Sequence, residues 1–262
     1  MGRELALSRF GGAASCSKLG IGRRQENLLN LDIRQAESPG GLAPAAGGRG
    51  TTIAAPTLGD AWLDVARLIL THGADSAFDG LPLLEVALVT LDIARPDPDD
   101  GLIAAHASAD WLKWMRANFT APSRVAELGD ARSYASRLFD YAGAGRDQIA
   151  WVVDKLTSDP VASYAAITTC EPLTDTSYIP CVSLLDFWRR SGALELVVYA
   201  HSIDFGKKGF GNLVQLAQLQ RHVAQRIGAP VGPLVMIVKS ATIYKSEIGL
   251  MRETLVAAHG EP

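Results

Sequence analysis

The chain has 262 residues, 48% hydrophobic and 20% charged, enough for one large core or two small ones. Its net charge of −3 gives no basic excess of the kind that nucleic-acid-binding domains carry. Three cysteines, Cys16, Cys170 and Cys181, make neither a CxxC pair nor a disulfide framework and suit a reducing compartment. No apolar run approaches the ~20 residues of a membrane helix. The expectation is a cytoplasmic protein with no metal site and no nucleic-acid or membrane partner.

Residues 1–51 are rich in Gly, Ala, Ser and Arg, with runs such as Gly40-Gly41 and Gly47-Gly48-Arg49-Gly50. Such a segment buries too little apolar area to offset the entropy of ordering. It reads as a disordered extension or an upstream start. Met1–Arg24 is basic enough for a transit peptide but lacks the apolar core of a secretory signal. The folded domain is expected over 52–262.

Order is expected from about Asp60. Ala61, Val65, Leu68, Ile69 and Leu70 repeat at helical spacing, and Gly73 follows as a stop. Leu81–Ile93 reads as a buried strand closed by Pro96-Asp97-Pro98. Helices are predicted over Ala105–Asn118 and Asp147–Thr157, the latter with Ile149, Val152, Val153 and Leu156 on one side. Strands follow at Ala165–Thr169 and Val182–Arg189, and a third with Leu194, Leu196 and Val198 on one face. A long helix is predicted from Asn212 to Ile227, stopped by Gly228. Leu234–Tyr244 is the last strand. The mixture makes the class α+β.

The final third carries an ordered set of residues: Asp159-Pro160, Tyr178-Ile179-Pro180-Cys181, His201-Ser202-Ile203-Asp204, Asn212, and Ser240-Ala241-Thr242-Ile243-Tyr244. Tyr134-Ala135-Ser136-Arg137-Leu138 precedes it. This set resembles the thymidylate synthases and pyrimidine-nucleotide hydroxymethylases, most of all their compact archaeal type. The resemblance spans about Asp60–Glu247 and is strong after Asp147. It implies a thymidylate-synthase-like fold with a mixed sheet and packed helices, dimerising through that sheet. It also implies 5,10-methylenetetrahydrofolate as cofactor and a pyrimidine nucleotide or nucleoside as substrate.

The chemistry explains the grouping. A pyrimidine C5 becomes nucleophilic only after a thiolate adds at C6, which the resemblance assigns to Cys181. The enolate needs donors, and a cation should lower the thiol pKa. An Asn212 amide can both donate to O4 and accept from N3–H of a uracil, whereas an Asp would suit cytosine. By the resemblance, Asp204 would bind the pterin, Tyr244 the sugar hydroxyl, and Ser202 and Tyr134 the substrate. Asp110 is a loose counterpart of the carboxylate that organises water over the pyrimidine, and Trp111 and Trp114 would line the folate pocket. Plainer roles stand beside these: a buried hydrophobe for Cys181, a helix N-cap for Asn212, core packing for the tryptophans.

The departures gather at the phosphate site. His201 stands where the family has an arginine, Ser163 and Tyr164 replace the arginine pair given by the partner subunit, and Thr242 replaces a histidine. Guanidinium forks are the usual phosphate grip. A protonated His201 would partly serve. Lys207 and Lys208 sit in a glycine-flanked loop that is apolar in the family; they are read either as a relocated anion site or as a solvated loop. A substrate without phosphate is the other explanation. The eighteen residues after Tyr244 offer no apolar lid, which would favour a hydroxymethyl product.

Overall fold

In the computed structural model, which describes residues 50–162, 164–175 and 178–259, regular structure begins at Thr52, earlier than the periodicity suggests. The strand β1 (Thr52–Ala55) is only four residues long; its pairing with a distant strand makes it, and no local pattern announces it. The expectations for residues 1–49, Cys16 and Ser163 lie outside the described residues. All described residues belong to the compact unit Ala43–Pro262.

The first helix, α1 (Leu58–His72), starts where Thr57 Oγ1 accepts the Asp60 N–H, and buries Ala61, Trp62, Val65, Ala66 and Ile69. It ends at Gly73, which is extended and not left-handed. Glycine is needed because a Cβ would lie 2.4 Å from the Ile69 carbonyl oxygen. The chain then makes a hairpin, β2 (Ala74–Phe78) and β3 (Leu81–Ile93). Asp79 and Gly80 both have positive φ, the backbone that a tight two-residue turn demands.

The single helix predicted over Ala105–Asn118 is two, α2 (Gly101–His106) and α3 (Ala109–Thr120). Asp100 Oδ1 caps the first and Ser108 Oγ the second. A side-chain acceptor that competes for the backbone breaks the helix there. Next come the short strands β4 (Arg124–Val125) and β5 (Ala131–Arg132), the helices α4 (Tyr134–Phe139) and α5 (Gln148–Ser158), and β6 (Ala166–Thr168).

The last part holds β7 (Val182–Arg190), β8 (Ala193–Ala200), β9 (Ile203–Asp204), α6 (Gly209–Arg226), β10 (Val231–Tyr244) and α7 (Ile248–His259). The helix α6 starts three residues before the predicted Asn212. The residues after Tyr244, expected as a tail, form α7, with Met251 buried and Ile248 and Leu255 against the core.

Eight strands form one mixed sheet in the order β1-β3-β10-β8-β7-β6, with β2 on β3 and β9 on β10. The pairs β1/β3 and β10/β8 are parallel, and β3/β10 and β7/β8 antiparallel. The α+β class is as read from the sequence. α1 and α6 pack on the sheet and on each other. The other face keeps Leu184 and Ile237 exposed, with Val197 and Tyr199 part-covered.

Core-facing residues should alternate along a strand, yet four strands skip a place at one level. The core row steps from Val86 to Val89, Val182 to Leu185, Ala200 to Ile203 and Val238 to Ala241. Leu88 has φ 55, and the β7/β8 register shifts between Val182 and Leu184. Neighbouring strands therefore change phase together at this level, β3 and β10 keeping one register across it while β7 carries a bulge against β8. Cys181, His201, Ser202 and Asp204 all sit at or beside this break.

Candidate active site

Cys181 directly precedes β7, and its neighbours are held from two sides. The Val182 N–H donates to Tyr134 Oη at 2.9 Å, and the Cys181 carbonyl accepts the His201 N–H at 3.0 Å. Tyr134 is 5% exposed and stacks on Phe119 with centroids 4.4 Å apart. Its hydroxyl thus supports the strand beneath the thiol, accepting there and keeping its own hydrogen to donate. Cys181 Sγ lies 3.9 Å from Tyr178 Oη. Burial pushes the thiol pKa up, while the Tyr178 hydroxyl and the Lys208 charge act against that rise and the Asp204 carboxylate adds to it.

His201 does not provide the expected cation. Burial, then the positive charge of Lys239, hold its pKa below the ordinary histidine value, so the ring is neutral at pH 7. Its buried Nδ1 has no hydrogen-bond partner among the described residues. Ser202 follows it, half-buried. Thr242 spends its hydroxyl on the Ile203 carbonyl at 3.2 Å. Tyr164 is exposed, with Lys155 Nζ 2.7 Å from its hydroxyl.

A cavity of about 330 Å³ is lined by Leu81, Pro82, Trp111, Asp204, Lys207, Lys208, Tyr244, Ser246 and Glu247. Asp204, Tyr244, Trp111 and both lysines are thereby brought together. Trp62 anchors the loop between β9 and α6: its Nε1–H donates to the Phe205 carbonyl at 3.0 Å, and its ring meets Phe210 edge-on. Lys208 Nζ lies 5.4 Å from the ring centroids of both Trp111 and Trp114, and Lys207 Nζ 5.0 Å from Trp111. Lys207 also pairs with Glu247 at 3.7 Å. The lysines are therefore held over aromatic faces, which a freely solvated loop would not do. Asp110 is exposed in the first turn of α3, and neither it nor Trp114, Cys181, His201, Ser202, Tyr134 or Asn212 is among the lining residues of this cavity.

Asn212 is 4% exposed and is the fourth residue of α6, which rules out the N-cap role. Its Nδ2 donates to the Lys208 carbonyl at 3.3 Å, and its buried Oδ1 has no partner among the described residues. An unmet buried acceptor is costly, so such an atom calls for a ligand donor. For Tyr244, burial followed by the Asp204 and Cys181 charges raises the pKa, keeping the phenol protonated as a donor.

Burial lifts the Asp204 carboxyl to about 6, against the nearby Lys208 charge and the Gly206 N–H, with Glu247 adding to the rise. A carboxyl whose folded pKa is raised destabilises the fold fully above about pH 6, and that cost fades as pH falls towards the unfolded value near 4. Asp204→Asn should therefore stabilise the ligand-free protein by on the order of 2 kcal/mol at pH 7.5. The gain should shrink towards pH 4. Thermal melts across that range check it, and an unchanged or lowered melting temperature at pH 7.5 would refute it.

Tyr178, Glu247, Leu81 and Pro82 were not singled out from the sequence. Tyr178 lies in the Tyr-Ile-Pro-Cys run, which was its only signal. Glu247 is admitted by Gly206, where a Cβ would sit 3.0 Å from the Glu247 Cβ. Such a close approach has no local pattern.

Residues 99–261 match the family model described as Thymidylate synthase. A protein of Methanosarcina barkeri, provisionally named a thymidylate synthase, is 29% identical over 203 residues, covering 74% of this chain and 90% of its own. A similarly named protein of Methanopyrus kandleri is 26% identical over 210 residues, covering 77% and 96%. The deoxyuridylate hydroxymethyltransferase of Bacillus phage SP01 is 34% identical over 109 residues, 39% of this chain and 28% of that one.

Proposed function

The chain belongs to the thymidylate synthase family and is a one-carbon transferase, and on that premise we propose that it acts at C5 of a uracil-type ring through a Cys181 adduct. The buried, unpartnered Oδ1 of Asn212 carries this reading. It matches the N3–H of a uracil, while Nδ2 can turn from the Lys208 carbonyl to O4.

The Cys181 thiolate adds its electron pair to C6, and the C5–C6 π pair moves through C4 onto O4. Charge then develops at O4, where the Asn212 amide can meet it. C5 gains the one-carbon unit and later gives up its proton. The S–C6 bond breaks with its pair returning to sulfur, and the ring double bond is restored. Lys208 is the cation whose field favours the thiolate. Tyr244 and Ser202 are suited to the sugar.

The cavity residues fit 5,10-methylenetetrahydrofolate. Asp204 offers an acceptor for the pterin N–H groups, Trp111 a flat wall, and Lys207 a charge for the carboxylate tail. When bound, that cofactor would supply the one-carbon unit and, for a methyl product, the hydride that reduces it; a hydroxymethyl product would take up water instead. The half-exposed sheet face, not covered by helices, supports a homodimer formed through it.

A second reading is favoured by neutral His201 and exposed Tyr164. Without the arginine grip, the substrate is a non-phosphorylated or modified pyrimidine, or a nucleotide whose phosphate is met by Lys207 and Lys208. The product is then a methyl or a hydroxymethyl pyrimidine.

One experiment tests both readings. The purified protein, without folate, is incubated with C5-tritiated uracil bases, nucleosides and nucleotides, and tritium release to water is measured. Release from at least one of them, lost by about 10³-fold or more in Cys181→Ala, is expected. Nucleosides reacting as fast as nucleotides would select the phosphate-free reading. No release from any of them, with or without methylenetetrahydrofolate, would sink the pyrimidine adduct.

A further inference from the structure

No cation among the described residues bonds to the nucleophile. His201 is neutral, and Lys208 acts on Cys181 through its charge alone, with its Nζ held over the Trp111 and Trp114 rings. The Asp204 carboxylate works against that charge. Tyr134 and Tyr244 also lie within electrostatic reach of the thiol, and both phenols stay protonated there. Among the described residues, one side chain alone reaches Sγ with a hydrogen bond: Tyr178, whose Oη is 3.9 Å away.

The Tyr178-Ile179-Pro180-Cys181 run sets this contact. Pro180 fixes its own φ, and its carbonyl accepts the Ser183 hydroxyl at 3.3 Å, which ties the run to the start of β7. Ile179 turns outwards, 50% exposed, while Tyr178 turns in to the thiol. While the sulfur is a thiol, either group can donate. Once that proton has left to solvent, only the phenol has a hydrogen to give. The phenol keeps it: burial, then the neighbouring Cys181 and Tyr134 groups, push its pKa up, with the Arg137 charge acting against them. The bond is therefore stronger to the thiolate than to the thiol.

We infer that the Tyr178 hydroxyl donates to Cys181 Sγ and holds it as the attacking thiolate, in the place of a bonded cation. The inference rests on the Cys181 adduct proposed above. As the S–C6 bond forms, charge leaves the sulfur and the hydrogen bond weakens; it is regained when the adduct breaks down and sulfur departs. A phenol also separates two tasks that a guanidinium would combine. It stabilises the thiolate without adding a positive charge that grips an anion.

The test needs no substrate. Alkylation by iodoacetamide is followed across pH, at Cys181 itself, by mass spectrometry. In Tyr178→Phe the midpoint should rise by about one pH unit, and the two rate profiles should cross. At pH 7 the variant should react about threefold more slowly, because fewer thiols are ionised. Above the midpoint it should react about threefold faster, because an unbonded thiolate is the better nucleophile. Site-specific 3-fluorotyrosine at position 178, a stronger donor of nearly the same size, should move the midpoint the other way. C5 tritium release in Tyr178→Phe should fall at pH 7 and recover as pH rises. A purely structural loss would change alkylation alike at every pH. That result overturns the inference, as does a midpoint that neither replacement moves. A moved midpoint in a protein that releases no tritium from any uracil substrate supports the bond and defeats the adduct chemistry proposed above.

Discussion

Asn212→Asp should exchange the base preference, lowering C5 tritium release from uracil substrates by about 10³-fold or more and raising it from cytosine substrates. The wild-type amide keeps one weak bond, Nδ2 to the Lys208 carbonyl, and an unmet buried Oδ1. Uracil presents a donor at N3 and an acceptor at O4, and an amide meets both. A carboxylate there would face O4 with no hydrogen, leaving two buried acceptors opposed, which costs several kcal/mol. Cytosine reverses the pattern: its amino group donates to the carboxylate, and a protonated carboxyl can donate to N3. The fold should tolerate the change, because an acid in the first turn of α6 interacts favourably with the helix N-terminus. Relative kcat/KM for the two bases, with a melting curve as control, is the measurement. Uracil activity kept within threefold would show that Asn212 does not read the base.

Where the chain repeats itself locally, the sequence was readable. Leu81–Ile93 is a strand with the predicted bounds, and α5 has the four predicted inward residues. Asp204 and Tyr244, both named in the ordered motif set, line one cavity with Lys207, Lys208 and Trp111, which that set did not contain. What escaped was set by distance along the chain. β1 exists because Thr52–Ala55 pairs with Thr90–Ile93. The shared change of phase leaves each strand apolar while changing which residues face inwards, so simple alternation misassigns them. His201 illustrates the limit for electrostatics: its neutrality depends on burial and on Lys239, a residue of a strand that pairs with β8 only in the fold. Asp110 was assigned by a loose resemblance alone, which carries no information on which side of α3 meets the cavity.

Arg137 is another residue known first as part of a motif, and removing it should cost more stability than any other single change named for this chain. It is 2% exposed. Nη1 donates to Asp175 Oδ2 at 2.7 Å and to the Thr169 carbonyl at 2.8 Å, Nη2 to Asp175 Oδ1 at 2.7 Å, and Nε to the Arg132 carbonyl at 3.0 Å. Asp175 Oδ2 also accepts the Glu171 N–H at 2.7 Å. The guanidinium thus clamps the turn before the nucleophile, and Thr169 passes the restraint on by bonding the Val182 carbonyl through its hydroxyl. Arg137→Met strands a buried carboxylate, for which about 3–5 kcal/mol is the usual loss. In a domain of this size that lowers the melting temperature by roughly 10 °C.

The pH dependence gives the loss a signature. Burial pushes the Asp175 carboxyl up, but the Arg137 bonds and the Glu171 N–H outweigh it and hold the pKa below the ordinary value. A depressed carboxyl contributes stability above its unfolded pKa near 4 and loses it as pH falls through the folded one. The gap between wild type and Arg137→Met should therefore be full at pH 7 and narrow below about pH 4. Replacing both partners, as Arg137→Met/Asp175→Leu, should recover part of the loss, because no unpaired charge then remains buried. Cys181 alkylation should change in the single variant, since the strand that carries the thiol loses a restraint. If Arg137→Met melts within 2 °C of wild type, or the double variant is no better than the single, the pair does not hold the nucleophile segment, and the order of that segment rests on Tyr134 and its bond to Val182.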